Sequence, residues 1–449
     1  MSAIPGGLDT ERGPPMTLPL RHFLVALGFL LAGVGLAVLA PVAGYGARVA
    51  HVHLLLAGWI CLTILGAMTQ FVPVWSGVAL HSRALAHVQL VLVTTGIAGL
   101  SVAFLSTSFW LAVPAGVLAA VGFWTFCYNL ARTLARARPL DVTEGHFALA
   151  LAAFSLVPAL GLALAVDLAW PVFAGAGLSR YRVVSAHATL AVFGAVLPTV
   201  AGALYQLATM FTNTDLSAAD RLLQRAESGL LPGGAVLLAV GRLLGVRPLA
   251  QVGGLSLLVG VAALALVVAH RLLAARVGWT PMLRRYAVVA VALLGWALWT
   301  APAWIRDPLA PTAPFGPPGA VHLLALGGLA AVVLGTLYHI VPFLVWVRRY
   351  SDRVGLEPVP MVDDLYDSRL ALADFGALVA GSAVVVGAGA GLVSGPLAAL
   401  GPALVAAAVL GCVANLLLVL RRHARRSLAG VLGLTNGVAR RQEPREDAE

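Results

Sequence analysis

The chain has 449 residues, 60% of them hydrophobic and 11% charged, and a mean hydropathy of +0.92. Soluble domains carry about 25% charged residues, so most of this chain belongs in lipid, and a soluble enzyme is excluded. The net charge of +10 comes from arginine alone, with no lysine. The arginines gather in alternate loops, not in an aromatic-interleaved patch, so the charge reads as membrane topology and not as a nucleic-acid footprint.

Residues 1–20 hold Pro5, Gly6, Gly7, Pro14 and Pro15 without a long apolar run, and read as a cytoplasmic tail, not a cleaved signal. Twelve segments then reach the roughly 20 residues needed to cross a bilayer. They lie near 21–43, 50–74, 85–106, 109–134, 146–168, 184–209, 228–245, 248–275, 286–304, 320–346, 370–393 and 397–420. Such runs exclude a β-barrel and predict an all-α, integral membrane twelve-helix bundle in a single domain, 21–424. Arg132, Arg136 and Arg138, then Arg271, Arg276, Arg284 and Arg285, then Arg348 and Arg349 mark loops on one side. The positive-inside rule places both termini in the cytoplasm of a multi-pass protein of the cytoplasmic (inner) membrane. Loop 213–227 is expected to open a helix on a Ser or Asp cap. Loop 347–369 reads as solvated, and 425–449, basic and then acidic, as a disordered cytoplasmic tail. Cys61, Cys127 and Cys412 lie in apolar segments without CxxC or CxxCH spacing, which excludes a disulfide framework, a thiolate zinc site and c-type haem attachment.

Spans two, six and ten share a pattern. Gly58 and Gly66, Gly194 and Gly202, and Gly327 and Gly335 are eight residues apart, and Gln70, Gln206 and His339 follow four residues on. Measured back from the second glycine, His51 and His187 lie at minus fifteen, and His53 and His322 at minus thirteen. The offsets of 136 and 133 residues predict three pseudo-symmetric four-helix repeats, about 21–134, 146–275 and 286–420.

All three spans run inward, so His51, His53, His187 and His322 share one layer near the outer face. His339 lies about 25 Å deeper at the helical rise. Histidine in lipid is costly and normally has a partner or a cavity. Two imidazoles facing each other suit a haem iron, and three converging suit copper. Interhelical hydrogen bonding is the plainer alternative. His51 and His53 are separated by about 200° around a helix, so at most one of them meets His322. His22, His81, His87, His146, His270 and His423 fall near span ends or in loops and are assigned ordinary capping or interfacial roles. Asp374 is the only acid well inside an expected span, and Tyr205 and Tyr338, at one repeat position, are assigned to packing.

The tenth span resembles the tenth helix of haem–copper oxidase subunit I, where a histidine and a proline follow the second His of a His-x-His pair by seventeen and twenty residues. His322, His339 and Pro342 reproduce those intervals, and His51 with Gly66 is similar to the family's second helix. NnrS-type haem-containing membrane proteins of the nitric oxide response are similar too. The resemblance covers most of the chain in topology and three helices in motif. It implies one haem b held between spans two and ten by His51 and His322. His187 falls where the family has a copper ligand, and His53 is additional. The departures are that Leu230 to Leu244 holds no histidine, Ala320 stands at the high-spin haem position, and Ala-Thr-Leu follows His187. The resemblance therefore implies a divergent member without a standard binuclear centre, serving electron transfer or the handling of nitric oxide or oxygen. A cytochrome, a cupredoxin or other membrane subunits would be its partners, and any enzymatic activity would be that of a haem oxidoreductase. Two other classes stay open: a transporter of a metal ion or haem, and a structural membrane subunit without cofactor.

Overall fold

A computed structural model describes residues 14–39, 44–424 and 426–433. Twelve of its helices are long and apolar enough to cross a bilayer: α1 (Thr17–Ala37), α2 (Tyr45–Trp75), α3 (Arg83–Leu105), α4 (Phe109–Leu134), α5 (Val142–Ala169), α6 (Arg180–Thr212), α7 (Ala218–Leu244), α8 (Arg247–Leu273), α9 (Pro281–Arg306), α10 (Pro318–Arg353), α11 (Ser368–Gly389) and α12 (Gly395–His423). Among the described residues there is no strand, only an isolated bridge between Pro314 and Gly316. The chain is an all-α, multi-pass membrane protein.

Helix starts follow local chemistry. The Ser82 and Thr280 hydroxyls accept from the N–H groups of Leu85 and Leu283, and Asp141 and Ser217 form capping boxes with Glu144 and Asp220. The Ser217 box lies in the loop where a cap is expected, and it starts α7 ten residues ahead of the expected boundary at 228. Helix α1 likewise begins at Thr17, inside the expected tail; residues 1–13 lie outside the described residues. The C-terminal tail also opens with order: Leu428–Leu432 form a short helix whose Val431 carbonyl accepts from Arg21 Nε at 2.6 Å. Residues 434–449 lie outside the described residues.

Close approach sets the packing. A Cβ on Gly234, Gly241, Gly253 or Gly260 would fall 2.3–2.7 Å from a backbone nitrogen of the opposing helix, so α7 and α8 touch main chain to main chain. Without water to drive association in lipid, such van der Waals contact holds helices together.

Spans α2, α6 and α10 are the longest, at 31, 33 and 36 residues. Each contains one stretch of π-helix: Leu54–Cys61, Leu190–Val196 and Leu323–Ala330. Each stretch begins twelve residues before Gly66, Gly202 or Gly335. The wider i→i+5 turn changes the phase of everything before it, and the histidines lie just before it.

Beyond the π-helices the same three spans converge on a small cavity of about 80 Å³. From α2 it is lined by Thr63, Ile64, Ala67, Met68 and Phe71, and from α6 and α10 by the residues at the same five distances from Gly202 and Gly335. Trp75 of α2 and Phe23, Phe147 and Tyr286, from α1, α5 and α9, complete it.

Candidate functional site

The histidines occupy the N-terminal parts of α2, α6 and α10. His51 Nδ1 donates to the Gly33 carbonyl of α1 at 2.9 Å, and His187 Nδ1 to the Val157 carbonyl of α5 at 3.0 Å. These are matching contacts: two residues at minus fifteen, each tied to the span before its own. His53 Nδ1 donates to Val49 O, one turn back, at 2.8 Å. A carbonyl only accepts, so each of these rings carries its hydrogen on Nδ1 and keeps a lone pair on Nε2. Ligating histidines are commonly held this way, through the ring nitrogen that does not bind the metal. His322 is half-buried at the end of a short turn, Pro318–His322, and has no hydrogen-bond partner among the described residues.

His53 and His187 are brought together. Both line an apolar cavity of about 430 Å³ enclosed by α2 to α6. Cofactor and small-molecule sites span roughly 300–1,000 Å³. The His53 ring lies 5.2 Å from that of Phe104. Gly161 makes room for His187, since a Cβ there would stand 3.1 Å from Cε1 of the imidazole. Tyr45, Arg48 and Arg180 line the end of the cavity at the helix starts, with Arg180 Nε paired to Asp167 at 2.5 Å. His51, turned toward α1, does not share this cavity. The two α2 histidines therefore serve different sides of their helix, as their spacing requires.

The pair thus joins position minus thirteen of α2 to minus fifteen of α6. The same two positions on α10 and α2 are His322 and His51. On α6 and α10 they are Thr189 and Ala320, and there the space is filled. Arg242 donates to Thr189 Oγ1 and to the Pro314 carbonyl, both at 2.7 Å, and lies 5.2 Å over the Trp304 ring. Phe193 packs against Trp296, Trp304 and Phe315 with centroids 5.4–6.2 Å apart. Among the described residues no three His, Cys, Asp or Glu side chains are grouped to hold a metal ion, so the convergence of three imidazoles that suits copper does not occur there.

A second polar layer lies beyond the π-helices. Gly66, Gly202 and Gly335 face His22, His146 and Arg285, whose Cβ atoms would stand 2.6–3.0 Å from an added Cβ. Three residues after those glycines come Thr69, Tyr205 and Tyr338. Gln89 Nε2 donates to Thr69 at 3.4 Å, Tyr205 donates to Glu227 at 2.7 Å, and Tyr338 donates to Asp374. His146 Nε2 reaches Glu227 at 3.1 Å, and Arg285 pairs with Asp374. The first cluster carries no formal ion pair, and its His22 Nε2 and Gln89 Oε1 have no partner among the described residues.

This layer revises the assignments of Asp374, His22, His146, Tyr205 and Tyr338. Asp374 is not the only acid inside a span, because the early start of α7 buries Glu227 completely. His22 and His146 lie near the starts of α1 and α5, as expected, but are buried there, 0% and 2% exposed. Tyr205 and Tyr338 bind carboxylates as well as packing. No spacing signal marks the set, since loops of different length separate His22, His146 and Arg285 from their glycines. His339, at the repeat position of Gln70 and Gln206, lies against the Phe211 and Phe343 rings, at 4.1 and 5.8 Å. A groove of about 480 Å³ beside Trp124, Tyr128 and Arg138 carries no imidazole. Comparison with protein-family models and with curated proteins finds no match to this chain.

Proposed function

We propose that this chain is an integral membrane haem protein, arranged like haem–copper oxidase subunit I and similar to NnrS-type proteins, that serves electron transfer or the handling of nitric oxide or oxygen. It holds one haem b between α2 and α10 through His51 and His322. The observation that carries this reading is the tether on His51: its Nδ1 is spent on the Gly33 carbonyl and its Nε2 is left as a ligand. His322 brings a second ring without a competing partner. Gly33 lets α1 lie close to α2, since a Cβ there would meet Leu55 Cδ2 at 2.5 Å.

Haem iron supplies a one-electron couple and, where a coordination position opens, a gas-binding site. The protein's part is to present the two imidazoles and to fix the tautomer of His51. Pseudo-threefold symmetry of three four-helix repeats is supported by the matched π-helices, the matched cavity lining and the three glycine-linked polar clusters. The packed interval between α6 and α10 favours a protein without an oxygen- or nitric-oxide-reducing binuclear centre. The arginine-rich loops favour a cytoplasmic membrane location with both termini inside, and the resemblance implies a cytochrome or cupredoxin as electron donor.

The test is the optical spectrum of the detergent-purified, reduced protein. A low-spin b-type spectrum that changes in H51A and in H322A supports the reading. Protein purified without haem, from cells well supplied with it, overturns it. Metal-ion or haem uptake by vesicles containing that protein would then favour the transporter.

A further inference from the structure

We propose that the cavity between α2 and α6 is a second haem site, with His53 and His187 as its two axial ligands. It shares with the function proposed above the idea that these imidazoles bind haem iron, but it rests on a different pair and a different cavity.

The donor chemistry fits. Both rings carry hydrogen on Nδ1, bound to Val49 O and Val157 O, and both keep an Nε2 lone pair in a space they share. The lining fits a flat, apolar macrocycle. It is aliphatic and aromatic along Ile97, Phe123 and Phe154, and small at Gly116, Gly161 and Ala195. Gly161 meets nothing but the His187 imidazole, so the absence of a side chain there serves the ring's position. The polar end fits as well. Haem b carries two carboxylates, and the cavity has arginines at one end only, Arg48 on α2 and Arg180 on α6, the latter with Nη1 outside its contacts to Asp167. A bare metal ion has no use for so large an apolar lining.

The register supplies the strongest support. Minus thirteen on one span and minus fifteen on the next recur as His53 with His187 and as His322 with His51. Where the imidazoles are missing, at Thr189 and Ala320, an arginine and an aromatic cluster occupy the space. The His53–His187 pair lines a cavity, and the interval that lacks both imidazoles is plugged. Bundle glue alone would give no reason for the open space at that pair.

The experiment uses the full chain, produced with haem in excess and purified in detergent. Haem per chain is measured by alkaline pyridine extraction, and the reduced spectrum and a redox titration are recorded. Wild type is expected to hold two haems b with separable potentials. H53A and H187A should each lose half of the haem, and the half lost should be the one that H51A and H322A keep. The H187A/H322A double variant should hold none. Imidazole added to H187A should restore the low-spin spectrum, which shows that the variant still folds. One haem per chain, untouched by H187A and lost in H51A, overturns this inference and leaves the function proposed above standing. Loss of the only haem in H187A but not in H322A does the reverse. Copper or a quinone in the cavity, retained by wild type and lost in H187A without loss of haem, also overturns it.

Discussion

Tyr205 donates its hydroxyl hydrogen to the fully buried Glu227 at 2.7 Å, and Tyr338, at the same distance from its glycine in α10, donates to Asp374. Each carboxylate also has a basic partner, His146 or Arg285, on the helix facing that glycine. These contacts tie the first, second and third spans of a repeat together on the side away from the histidine layer. A hydrogen bond to a charged group contributes about 1.5–3 kcal/mol, and a buried charge stripped of its partner costs about 3–5 kcal/mol. Tyr205→Phe is therefore expected to lower stability by the smaller amount. Arg285→Ala should lower it by the larger, and R285A/D374A should be more stable than R285A. Unfolding curves in detergent measure all three.

Gly161 is the second point of leverage. A Cβ there meets His187 Cε1 at 3.1 Å, and a branched side chain would displace the ring from the cavity. Gly161→Val should lose the haem assigned to His53 and His187 while keeping that assigned to His51 and His322. Haem content per chain reads the difference, and an unchanged content would remove the reason given for the glycine.

The π-helix in α2 is a third. Deleting one residue from Leu54–Cys61 would turn the preceding part of α2 by about 100°, carrying His51 and His53 off their present faces together. Such a variant should lose both haem spectra at once, as no single histidine substitution does.

Turnover provides a fourth. With Thr189 and Ala320 in the filled interval, steady-state oxygen or nitric oxide reduction should stay far below the tens per second of ordinary enzymes. An oxygen or nitric oxide electrode with an artificial donor measures this directly. Rates in the ordinary range would mean that some other ligand set builds a reductive centre.

The fifth concerns acid stability outside the lipid. The Leu370 N–H, joined by that of Arg369, holds the Asp367 carboxyl below the ordinary carboxylate value at the start of α11. Because the folded-state value is depressed, the stabilisation is full above the unfolded value of about 3.9. It disappears as pH falls through the folded value. Asp367→Ala should therefore melt earlier than wild type near neutral pH, and the gap should close in acid. A gap that persists below the carboxylate range would assign the effect to something other than the cap.

Hydropathy made all twelve spans legible, and the least distinct was α7. Arg221, Arg225 and Glu227 lower the hydropathy of its first turns, so the expected start fell after Glu227 and hid the buried acid. The histidine layer was legible because four imidazoles at two fixed registers survive as spacing. Their partition into pairs was not, because it depends on which side of α2 each ring faces, and a π-turn changes that phase without leaving a mark in the apolar pattern. His22 and His146 were misjudged for a related reason: closeness to a span end says nothing of burial when a neighbouring helix covers that end.

His51 and His53 stand on opposite sides of one helix yet differ in height by only about 3 Å. With an iron on each side, an electron handed past α2 would travel within one leaflet, parallel to the membrane surface. Carrying a unit charge through the full membrane potential is worth about 2.3 kcal/mol per 100 mV, and a sideways step collects almost none of it. The arrangement suits a relay whose direction is set by the midpoint potentials of its two stations and is insensitive to how strongly the cell has energised its membrane.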